Sequence, residues 1–109
     1  MAEITTFRTI AQIARRLGAG WHAVELGRIE GVGLKLFNID PEGLPPETHE
    51  NYAEGLLMLE GQITLVMDGQ PVILNSGDYQ TIPQGCLHAI MPGGHGAFLL
   101  FDPEPPKPV

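Results

Sequence analysis

Glu47-Thr48-His49-Glu50-Asn51-Tyr52-Ala53-Glu54-Gly55-Leu56-Leu57-Met58-Leu59-Glu60-Gly61 sets acids and an imidazole just ahead of an apolar run. In an extended chain, side chains two apart share a face. Glu47 and His49 therefore point one way, and Thr48 and Glu50 the other. The run Leu56 to Leu59 is unbroken, as in a strand covered on both faces. One face would line a core. The other needs a helix or a second subunit, so a homodimer is expected.

A second stretch, Gly77-Asp78-Tyr79-Gln80-Thr81-Ile82-Pro83-Gln84-Gly85-Cys86-Leu87-His88, supplies another imidazole. His49, His88 and Glu54 make two imidazoles and an oxygen donor. That set suits borderline divalent metals and, with open positions, is the ligand type of non-heme iron oxygenases. Two His and one Glu also suit zinc.

The two stretches resemble the paired motifs of the cupin superfamily. The second family motif runs G-x5-P-x-G-x2-H-x3-N. Gly77, Pro83, Gly85 and His88 match it, and Pro92 stands at the Asn position. The first runs G-x5-H-x-H-x3,4-E-x6-G. Glu54 and Gly61 fit its end, and the four-residue spacer puts His49 at the second histidine. Glu47 then occupies the first histidine position and Pro41 the leading glycine. The alternative register, opened by Gly43 and His49, puts Asn51 at the second histidine and leaves the spacer one residue short.

The resemblance implies an all-β fold: a small antiparallel β-barrel of jelly-roll type with a short N-terminal helix. It implies a divalent metal (iron, manganese, zinc or nickel) held by His49, Glu54, His88 and Glu47. Glu47 could instead be a catalytic general base. Tyr52 and Cys86 are expected to contact the ligand. Cupins include dioxygenases, isomerases and decarboxylases, so fold does not choose the reaction. A metal-dependent enzyme, dioxygenase first and isomerase next, is one reading. The other is a non-catalytic cupin that binds a small ligand and has lost one metal ligand.

The rest of the chain is consistent with this. Its 109 residues suit one domain. Fourteen glycines and ten prolines punctuate short strands. Thr5 to Leu17 carries Phe7, Ile10, Ile13, Ala14 and Leu17 at helical spacing, and Gly18 and Gly20 should stop that helix. We divide the chain into an N-terminal helical segment (1–20), a barrel (21–102) and a proline-rich tail (103–109). Gly61-Gln62 is expected to turn the chain, and Asp68-Gly69 to form a type I′ hairpin.

A net charge of −7 with no basic stripe argues against nucleic acid. No apolar run is long enough to span a bilayer, and no basic start leads into an apolar signal region. The single cysteine, Cys86, permits no internal disulfide and is compatible with a cytoplasmic location. On a strand Cys86 would face the same side as His88. Nearby acids disfavour a reactive thiolate there. His22 and His95 read as surface or loop residues.

Overall fold

The computed structural model describes residues 3–105; residues 1–2 and the tail's 106–109 lie outside the described residues. One short helix precedes eight antiparallel strands. They are α1 (Ile10–Arg15), β1 (Ala23–Ile29), β2 (Val32–Asn38), β3 (Leu44–Glu47), β4 (Glu54–Met67), β5 (Gln70–Asn75), β6 (Tyr79–Ile82), β7 (His88–Ile90) and β8 (His95–Asp102).

Strand β4 organises the sheet. Its first part pairs with β6 through Glu54↔Ile82 to Leu57↔Tyr79, and with β8 on the other side. Its second part pairs with β5 and β7. The chain thus crosses from one packed layer (β1-β2-β8-β4-β6) to the other (β3-β7-β4-β5) within a single strand. Strands that change layers do so at bends and bulges. Here the register slips between Met58 and Glu60, and Gly61 follows at φ 83°. The expected Gly61-Gln62 turn is therefore a bend inside one 14-residue strand. The Asp68-Gly69 hairpin forms as expected, with φ 47° and 81°, the two positive values a type I′ turn requires.

The apolar run has two covered faces. Leu56 and Met58 point between the layers, with Ile63, Leu65, Ile82 and Phe98. Leu57 and Leu59 point outward, into a second cluster with Ala14, Leu36 and Leu99. Helix α1 sits on that outer cluster, and Arg15 pairs with Glu60 of β4 at 2.9 Å. The chain's own helix covers the face for which a second subunit was a possible cover.

The helix is shorter than its spacing suggests. Thr9 lies in the left-handed region at φ 50°, so helical dihedrals begin only at Ile10. Phe7 remains outside and is 42% exposed.

Candidate metal centre

Three strands and two loops bring the acids and imidazoles together. Strand β3 pairs with β7 so that Glu47 lies opposite His88. The other edge of β7 pairs with β4, with His88 opposite Met67. Glu54 opens β4 and is buried. His49 lies just past β3 in a loop tied to the β6–β7 turn: the Gly85 N–H donates to the His49 carbonyl at 2.9 Å, and Gln84 Nε2 donates to the Glu50 carbonyl at 2.7 Å. That turn contains Gly85 at φ 77°, which only glycine adopts freely.

The donor atoms face one another. Glu47 Oε1 is 3.5 Å from Nε2 of both His49 and His88. Glu54 Oε1 is 3.2 Å from His49 Nε2 and 3.8 Å from His88 Nε2. Glu47, His49 and His88 each offer a ligand atom within 4.8 Å of the others. Ligands about 2.1 Å from a shared ion stand roughly 3.0–3.4 Å apart. The spacing and donor types therefore fit a divalent cation.

The second nitrogens set which ring atoms face inward. His88 Nδ1 lies 3.0 Å from the Cys86 carbonyl, which only accepts, so Nδ1–H donates there and Nε2 is the nitrogen that faces the acids. His49 Nδ1 lies 2.9 Å from the Tyr52 hydroxyl, and the two rings stack 4.8 Å apart. Burial first, then Glu104 and Asp102, pushes the Tyr52 phenol up to about 12. It stays protonated and can donate to His49 or accept from it.

Burial also raises the Glu54 carboxyl above the usual carboxylate range, against the opposing pull of His49. A raised folded-state value adds stability at low pH that is lost as pH rises through it. In metal-free protein, Glu54→Gln should therefore melt higher than the parent at mildly alkaline pH. The gap should close as pH falls through the raised value. Melts of chelator-treated protein across that range check this; a constant gap would contradict the burial penalty.

Glu47, Glu54 and His88 border a cavity of about 90 Å³, and His49 stands behind them without lining it. Thirteen residues line it, and only Glu47, Glu54 and His88 among them carry polar side chains. Neither Tyr52 nor Cys86 lines it. Tyr52 instead holds His49. Strand β7 begins only at His88, so Cys86 sits in the preceding turn with its side chain in the core. Burial and Asp68 push its thiol up, which suits packing more than reactivity. His22 and His95 are exposed and belong to no such cluster among the described residues.

Sequence reasoning missed Lys35 and Asp102. Lys35 Nζ donates to Asp102 Oδ2 at 2.8 Å, with Glu104 3.8 Å away. Asp102 is one of the charges that raise Glu54. Strand parity could have shown that each faces inward, though not that they meet. Lys35 shares a face with Phe37 on β2, and Asp102 shares one with Leu100 on β8.

A family model described as a cupin domain matches residues 35–101. Quercetin 2,3-dioxygenase of Bacillus subtilis (strain 168) is 37% identical over 54 residues, which is 50% of this chain and 16% of that protein's length. Among solved structures, a cupin-2 domain containing protein from Shewanella frigidimarina superposes with a TM-score of 0.78 at 17% identity. That match covers 90% of this chain and 93% of the other. A predicted oxalate decarboxylase from Thermotoga maritima superposes with a TM-score of 0.65 at 20% identity, covering 73% and 76%. At such identities the structural matches speak for the fold alone.

Proposed function

The chain belongs to the cupin domain family, and from that premise we propose that it holds a divalent metal through His49, His88, Glu54 and Glu47 and acts there on a small molecule. The observation that carries this is the convergence of two Nε2 atoms and two carboxylates at 3.2–3.8 Å beside an apolar cavity. Two imidazoles with two carboxylates favour iron or manganese over softer ions. When bound, a redox-active ion supplies one-electron chemistry toward dioxygen, and any divalent ion polarises a carbonyl.

The chain's own residues do the remaining work. His88 is fixed by the Cys86 carbonyl and His49 by Tyr52, so both rings are held in place before a ligand arrives. The apolar walls exclude water and strengthen every polar contact at the centre. Glu47, 54% exposed, stands at the mouth, where it can take a proton from an entering ligand.

We place dioxygenase chemistry first, because half of this chain is 37% identical to a stretch of quercetin 2,3-dioxygenase. Isomerase chemistry follows. A ligand-binding cupin without turnover is the second reading, favoured by Glu47 at a position where the family motif has histidine. The single free cysteine suits a reducing compartment, so we assign the protein to the cytoplasm.

Elemental analysis of protein purified without added metal or a histidine tag tests the proposal. Near one metal per chain, with oxygen consumption on a panel of small substrates, is the expected outcome. Metal without turnover favours the binding module. No metal, and none taken up from iron, manganese or zinc, overturns both metal readings.

Tyr52 gives a finer test. Tyr52→Phe keeps the ring stack on His49 and removes the hydrogen bond at Nδ1. Second-sphere partners of this kind contribute about 10- to 100-fold in affinity. Zinc affinity, measured by competition with a chromophoric chelator, should fall about tenfold. Unchanged affinity would mean that stacking alone orients the ring.

A further inference from the structure

Size and charge together restrict what the cavity can take. Ligand pockets commonly span about 300–1,000 Å³. This one holds about 90 Å³. An apolar cavity of about 150 Å³ accommodates benzene. The part of a ligand that enters here is therefore no larger than about six non-hydrogen atoms.

Among the described residues, no Lys or Arg lines the cavity. Lys35, which shares a β2 face with the cavity-lining Phe37, is taken up by Asp102 at 2.8 Å and Glu104 at 3.8 Å. The donor set itself carries two carboxylates, Glu47 and Glu54. A divalent ion beside them is neutralised, and no positive charge is left over for an anionic ligand.

We propose that the ligand of this site is a small uncharged molecule with a short apolar body and one or two adjacent oxygen donors, and that small dianions are disfavoured. The apolar body would sit among Leu56, Leu65, Ile82 and Phe98, and the oxygens would face Glu47, Glu54 and the two imidazoles. An oxygen dianion placed there would lie in a low-dielectric pocket without a cationic partner, where charge burial is costly. This deepens the metal-centre reading and rests on it for the position of the oxygens.

Two probes of equal size separate the classes. 3-Hydroxybutan-2-one is uncharged. Oxalate is a dianion with the same number of non-hydrogen atoms and the same two-oxygen bite. Each is titrated into zinc-treated protein while the amide resonances of Leu56, Ile82 and Phe98 and the methyl resonances of Leu56 and Ile82 are followed. Zinc content is measured separately. The uncharged probe should shift those resonances at lower concentration than oxalate. In Glu47→His, which removes one negative charge and keeps a ligand atom, oxalate should bind about tenfold more tightly. The uncharged probe gains no such Coulombic term, so the ratio of oxalate affinity to uncharged-probe affinity should rise there.

Oxalate binding as tightly as the uncharged probe in the parent overturns the proposal, as does unchanged oxalate affinity in the variant. Absence of zinc in the parent overturns the metal reading alone. The order of the two probes at the cavity resonances still decides the ligand class in that case.

Discussion

His88→Ala should drop metal content from near one per chain to below about a tenth, while the barrel stays folded. His88 is the donor with the least freedom. It is 7% exposed, its strand is paired on both edges, and its Nδ1 is committed to the Cys86 carbonyl. Its Nε2 can point only toward Glu47 and Glu54. Removing it takes away a direct donor, which costs more than the 10- to 100-fold typical of an outer partner. The fold should survive because the ladder bonds of β7 come from backbone. The loss there is one hydrogen bond and some packing, about 1–2 kcal/mol. Elemental analysis after gel filtration, with a circular-dichroism melt of the same sample, measures both effects. His95→Ala, on an exposed residue, should change neither. Metal retained by His88→Ala would place the ion elsewhere and end the assignment.

Different kinds of information lie behind what could be read from the chain and what could not. His88, His49, Glu54 and Glu47 could be singled out because motif spacing constrains backbone geometry, and the fold then brings both Nε2 atoms within 3.2–3.8 Å of the two carboxylates. The doubly covered run Leu56 to Leu59 was readable for a similar reason: its lack of alternation is itself a pattern. That pattern could not say which element covers the outer face, because a helix and a second subunit leave the same trace on the strand. The helix start was hidden in a backbone choice. Periodicity continues back to Phe7, but Thr9 adopts a left-handed conformation that no spacing announces. Tyr52 was visible as a residue near the site but not as the partner of His49 Nδ1, since that contact depends on how the loop folds back. Parity could not place Cys86, because parity holds only on a strand and the strand begins at His88. Lys35 and Asp102 meet across two strands 67 residues apart in sequence, a pairing that needs the register first.

Gly61→Ala should be strongly destabilising. Gly61 and Gly96 are register partners where β4 crosses between layers against β8. Gly61 has φ 83° and Gly96 φ 106°. A methyl on Gly61 would run into the His95 carbonyl and the Gly96 Cα, both backbone and unable to swing aside. Left-handed strain alone costs about 1–2 kcal/mol for a residue with a side chain. The collision adds an overpacking cost of about 1–3 kcal/mol. Together they take a large share of the roughly 5–15 kcal/mol that holds a domain folded. Gly77→Ala separates the two costs. Gly77 has a similar φ of 90°, and nothing lies within 4 Å of where its methyl would go. Denaturant melts of the two variants should differ by about 2 kcal/mol or more, with Gly61→Ala the weaker. The same comparison tests why a glycine stands seven residues after Glu54. If the two variants lose equal stability, Gly61 is needed only for its dihedral angle. If Gly61→Ala loses far more, the glycine is there so that β4 and β8 can close together at the bend. That closure keeps Glu54, at the start of the same strand, in register with β6 and buried beside His49.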